Sequence, residues 1–97
     1  MSASQLTPQA EGRWLLQGDI DFSSAPALLE AGCRLIEQAH PRCQFDLSAV
    51  ESLNTAALSL LLSWRRHAQK ASTELEFFNL PESLRAIAQL SDLESML

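Results

Sequence analysis

Apolar residues in the first half of the chain recur at helical spacing. Leu28, Leu29, Gly32, Leu35, Ile36 and Ala39 follow an i, i+1, i+4, i+7, i+8, i+11 pattern, which is one stripe of a helix. Ser23 or Ser24 suits its N-cap, Pro26 falls in the first turn where a missing N–H costs little, and His40-Pro41 stops it. Next, Cys43, Phe45 and Leu47 alternate with Gln44, Asp46 and Ser48, predicting a strand with one buried face. A second helix is predicted from Thr55 to Lys70, and Leu75-Glu76-Phe77-Phe78 reads as a further strand. Leu80-Pro81-Glu82 opens a third helix whose inner face carries Leu84, Ile87 and Ala88, with a last helical turn from Asp92 to Leu97. Upstream, Arg13-Trp14-Leu15-Leu16-Gln17 is a short apolar run ended by Gly18. Asp19-Ile20-Asp21-Phe22 then alternates as a short second strand or extended turn would. Residues 1–11 are polar and read as a flexible lead-in. The resulting order, β-β-α-β-α-β-α, places helices between strands and so implies parallel crossovers. The expected fold is a single α/β domain over residues 1–97, a four- to five-stranded mixed sheet with helices packed on it.

Composition narrows the function. A length of 97 residues allows one domain, and an apolar content of 46% is ample for its core. The formal net charge of −5 supplies no basic stripe, which argues against nucleic acid as a partner and against adsorption to anionic lipid. The longest apolar cluster, Ala56 to Leu62, is far short of the ~20 residues that span a bilayer. No basic stretch followed by an apolar run opens the chain, so a cytoplasmic protein without direct membrane insertion is expected. Catalytic chemistry finds little footing. Cys33 and Cys43 lack CxxC spacing and read as buried small hydrophobes. His40 and His67 have no ligand spacing with them, Asp19 and Asp21 read as solvent-facing, and Gly12, Gly18 and Gly32 make no phosphate loop. No catalytic residue, metal or cofactor is expected; a thiol-dependent catalyst using Cys33 or Cys43 is a distant alternative.

The second helix carries the most information. At about 100° per residue, Ala57, Leu58, Leu61, Leu62 and Ala68 share an inner arc, with Leu60 and Trp64 on its flank. The opposite arc holds Thr55, Ala56, Ser59, Ser63, Arg66 and Lys70, and its first two turns are small and uncharged. A solvated helix face would carry Glu and Lys throughout. A smooth patch edged by Leu60 and Trp64 instead suits the close approach of another protein. On this reading Asn54, Thr55, Ala56, Ser59, Leu60, Ser63 and Trp64 form a partner-binding surface, with Trp64 only partly buried. Thr55 also suits the N-cap of the helix.

Three short stretches, in order, resemble the STAS family. Gly18-Asp19-Ile20-Asp21 resembles its G-x-[LI]-D signature, and Leu90-Ser91-Asp92-Leu93 resembles its ending. Between them, Asp46-Leu47-Ser48 through Asn54-Thr55 to Leu58 is similar to D-L-S-x-V-x-x-x-D-[ST]-x-G-L. Two positions depart from that pattern: Asn54 stands where the family has an acidic residue, and Ala57 where it has glycine. The resemblance covers about residues 12–97 and implies a non-catalytic interaction domain. The short single-domain form is most similar to the STAS subunits of ABC-type phospholipid transporters that maintain outer-membrane lipid asymmetry. That likeness implies docking on the transporter's ATPase subunit, and through it on the membrane permease, at the inner membrane. The alternative it implies is an anti-sigma-factor antagonist switched by phosphorylation at Thr55.

Overall fold

The computed structural model describes residues 4–50 and 54–80. Two strands, β1 (Gln5–Ala10) and β2 (Arg13–Gly18), form an antiparallel hairpin. Helix α1 (Ala25–Gln38), strand β3 (Arg42–Val50), helix α2 (Thr55–Lys70) and strand β4 (Glu74–Phe78) follow. The sheet order is β1-β2-β3-β4, with β2, β3 and β4 parallel. The expected α/β class and mixed four-stranded sheet are therefore observed. The third helix expected after Pro81 lies outside the described residues.

The start of the chain differs from the sequence expectation. Gln5–Ala10 is the edge strand β1 and not a flexible lead-in, and of the two alternatives for Asp19–Phe22 the structure has the extended segment and turn, not the strand. The hairpin closes through the two residues Glu11-Gly12, with Gly12 at φ +73°, a conformation that favours glycine. Pro8 sits inside β1 opposite Trp14. It is tolerated because β1 is an edge strand and its absent N–H need not serve a ladder.

Two crossovers that step the same way across the sheet put α1 and α2 on one face. That face carries the row Trp14, Phe45 and Phe77, aligned residue for residue across β2, β3 and β4. Phe45 is fully buried at its centre, with edge-on ring contacts to Trp14 at 6.4 Å and to Trp64 of α2 at 4.8 Å. The other sheet face is polar: Gln9 donates to Asp46 at 3.0 Å, Arg13 to Gln44 at 3.2 Å, and the Arg13 guanidinium lies over the Phe78 ring.

Trp64 corrects the reading of α2. It was expected on the flank of the buried arc, half-exposed and available to a partner, but it is 0% exposed. Ala57, Leu61, Trp64 and Ala68 fall within about 60° on a helical projection, so the tryptophan lies mid-arc. The facing residue on α1 is Gly32, where a Cβ would overlap the indole ring. The indole N–H donates to the Leu29 carbonyl at 3.1 Å, which satisfies its polar edge inside the core.

Gly32→Ala should therefore destabilise the domain by about 1–3 kcal/mol. An alanine in a helix ordinarily gains up to about 1 kcal/mol over glycine, so the sign tests the packing. Trp64→Ala should cost about 3–5 kcal/mol. Chemical denaturation of both variants checks this, and a raised midpoint for Gly32→Ala would contradict the lodged indole.

Candidate partner interface

The turn that precedes α1 is built by one aspartate. The Asp21 Oδ1 accepts from the Ser23 N–H at 3.0 Å, the Ser23 hydroxyl at 2.7 Å and the Ser24 N–H at 2.8 Å. In return the Asp21 N–H donates to the Ser24 hydroxyl at 3.0 Å, and the Asp21 carbonyl receives the Ala25 N–H at 2.9 Å. This reciprocal pairing works as a capping box does. Ser24 occupies the N-cap position, but the carboxylate that satisfies the free N–H groups comes from Asp21. The hydrogen bonds, that from the Ser23 hydroxyl foremost, hold the Asp21 carboxyl below its ordinary range. Phe22 lies inside this tight turn and is 75% exposed, the one large hydrophobic residue so placed among the described residues.

Helix α2 starts at Thr55, as expected, but is capped by Asn54 and not by Thr55. Asn54 is the N-cap, with its Oδ1 accepting the Ala57 N–H at 2.9 Å. Its Nδ2 donates to the Ile20 carbonyl at 2.7 Å, joining α2 to the segment that leads into α1. Thr55 is the first helical residue, exposed and free of the capping role expected of it.

Between the two helices runs an apolar groove of about 270 Å³. Phe22, Ala25, Pro26 and Leu29 line one side, and Ala56, Ser59, Leu60 and Ser63 the other. None of the eight is ionisable. Four residues expected at the partner surface, Ala56, Ser59, Leu60 and Ser63, are thus brought together here. Ser59 is exposed and Ser63 half-buried, whereas Ala56 and Leu60, only 2% and 3% exposed, form the inner wall. Thr55 and Asn54 lie at the helix start, outside the lining, and Trp64 belongs to the core. Sequence reasoning missed Phe22, Pro26 and Leu29. A phenylalanine between Asp21 and Ser23, off the stripe of the helix it precedes, was the available signal. A larger open groove of about 580 Å³ runs between β1 and α1, along Leu6, Leu28, Arg34 and Leu35. It takes in none of the expected site residues and no exposed aromatic.

The D-L-S stretch serves the sheet. Asp46 Oδ1 accepts from the Ser48 N–H at 2.9 Å and from Asn79 at 3.1 Å, while Oδ2 accepts from Gln9 at 3.0 Å. Burial pushes the carboxyl up, but these hydrogen bonds outweigh it and bring its pKa to about 2. Both thiols move the other way. Burial raises the Cys43 thiol to about 12, and burial together with the Glu37 charge raises Cys33. Nucleophilic cysteines need the opposite shift. Among the described residues no three His, Cys, Asp or Glu side chains gather as a metal site would require, and no helix is long and apolar enough to cross a membrane.

The family model described as Mlab, STAS domain, matches residues 6–97. The chain belongs to the STAS family. A chain of the Acinetobacter MlaFEDB complex in an ATP-bound conformation is similar to it with 32% identity and a TM-score of 0.79, over 92% of this chain and 94% of that one. A second ATP-bound conformation of that complex matches with 31% identity and a TM-score of 0.76, over 86% of this chain and 87% of that one. Phosphorylated SpoIIAA, a Bacillus cell fate determinant, shares the fold at 16% identity and a TM-score of 0.70, over 97% of this chain and 87% of that one. No curated protein matched by sequence.

The Asp46 carboxyl makes a pH prediction. Its folded-state pKa, about 2, lies below its ordinary 3.8. Its contribution to stability is therefore complete above about pH 4 and is lost as pH falls towards 2. That loss should be about 1–2 kcal/mol. Unfolding free energies measured from pH 5 to pH 2 should fall more steeply for the wild type than for Asp46→Asn. Parallel curves would show that the carboxylate contributes nothing.

Proposed function

We propose that this chain is the STAS accessory subunit of an ABC-type phospholipid transporter that maintains outer-membrane lipid asymmetry. It docks on the ATPase subunit and, through it, reaches the permease at the cytoplasmic side of the inner membrane. The observation that carries this reading is the likeness, at 32% identity over nearly the whole of both chains, to a component of the MlaFEDB complex. The chain brings shape to that complex and no catalysis of its own; ATP hydrolysis belongs to the partner.

The docking face is the groove between α1 and α2 with Phe22 at its rim. Its neutral, small-residue lining suits an apolar side chain from a partner, and an exposed phenylalanine beside a pocket has the character of an interface anchor. Asn54 and Thr55 border this face at the start of α2. The alternative, an antagonist switched by phosphate on Thr55, draws on the SpoIIAA likeness, which at 16% identity carries the fold alone.

Phe22→Ala should weaken binding to the cognate ATPase subunit by about 2 kcal/mol or more while leaving the melting temperature nearly unchanged, because the ring is exposed. Thr55→Glu should melt normally, since a carboxylate suits a helix N-terminus. It should nonetheless fail in pull-down, because the charge would lie at a desolvating interface. Titration calorimetry and melts on the same samples check both. Wild-type affinity in Phe22→Ala would remove the groove from the interface.

A further inference from the structure

We infer that Asn54 is a positioning residue for the docking face, holding Phe22 in place by tying the turn before α1 to the start of α2. This rests on the docking reading above. The amide is used at both ends: Oδ1 accepts from the Ala57 N–H at 2.9 Å and Nδ2 donates to the Ile20 carbonyl at 2.7 Å. These partners also fix which way round the amide sits, because a backbone N–H only donates and a carbonyl only accepts. The second bond spans 34 positions of the chain and links the start of α2 to the segment just before Phe22, at the opposite end of the groove wall from the Trp64–Leu29 bond.

The link transmits because each piece beyond it is stiff. Ile20 is 1% exposed, so its backbone is anchored by a side chain in the core. From the next residue, Asp21, the hydrogen bonds to Ser23, Ser24 and Ala25 close around Phe22. A displacement of the Ile20 carbonyl is therefore passed to the phenylalanine. No other capping side chain does both jobs. Serine caps well but lacks the length to reach Ile20. Aspartate caps as well as asparagine, yet an ionised carboxylate has no proton to donate and would face the carbonyl oxygen with like charge.

Asn54→Asp and Asn54→Ser therefore separate capping from positioning. Both should fold, with melting temperatures within a few degrees of wild type. Both should bind the cognate ATPase subunit at least tenfold more weakly. Hydrogen exchange at the Ser23, Ser24 and Ala25 amides should be faster in each. In a Phe22→Ala background, adding the uncharged Asn54→Ser should change affinity by less than twofold, because the residue acts through that ring. Unchanged exchange, wild-type affinity of Asn54→Asp in the presence of a weakened Phe22→Ala, or full additivity of the two substitutions would each overturn the inference alone. Wild-type affinity of Phe22→Ala would overturn the docking reading and the inference with it.

Discussion

The domain depends on one insertion: the Trp64 indole lodged against Gly32 and edge-on to Phe45. Phe45 is the centre of the aromatic row that unites β2, β3 and β4, so the tryptophan joins sheet, α1 and α2 at one point. Its N–H to the Leu29 carbonyl sets where α1 lies along α2. Leu29 and Leu60, one turn from Trp64 on α2, both line the groove. The core contact and the groove thus share a wall, and changes at Gly32 or Trp64 would reshape the groove without touching its surface.

A second level of order comes from polar side chains that bind backbone. Asp21 closes the turn before α1, Asn54 ties that region to α2, and Asp46 joins Gln9, Ser48 and Asn79 across the sheet. These are the polar residues of the stretches that resemble the STAS pattern. Each has a structural task that an apolar or mis-sized residue would leave undone. The motif is therefore a signature of how the loops are held, while the proposed docking groove is lined by neutral residues, four of them alanine or serine, with Phe22 as its exposed aromatic.

This division explains what was legible in the sequence. The stripe from Leu28 to Ala39, the span of α2 and the alternation around Phe45 all follow from periodicity within one element. Strand β1 was missed because Pro8 interrupts it and Leu6 is its one large apolar residue, as an edge strand allows. Trp64 lies mid-arc on the wheel and was nonetheless read as a flank residue; what a single wheel does not show is that Gly32 on the facing helix leaves room for so large a ring. Thr55 was given the cap that belongs to Asn54, since either type can serve and only the backbone decides. Phe22 lies outside every periodic segment, and its exposure follows from the Asp21 turn.

The charge pattern of α2 bears on how the face stays available. Its first turns hold no acidic residue, and the cap is a neutral amide. Neither the cap nor the first turn therefore places a negative charge on the partly positive helix start, which lies beside a groove lined without ionisable side chains. An apolar partner segment meets there no buried charge that must lose its water, and so no penalty of the kind that limits ionic interfaces. The lining, which carries no ionisable side chain, makes an added carboxylate or phosphate beside it costly for an apolar partner to cover. On the proposed docking reading, a charge at Thr55, which is exposed at the first position of α2, acts on the contact with the partner more than on the fold.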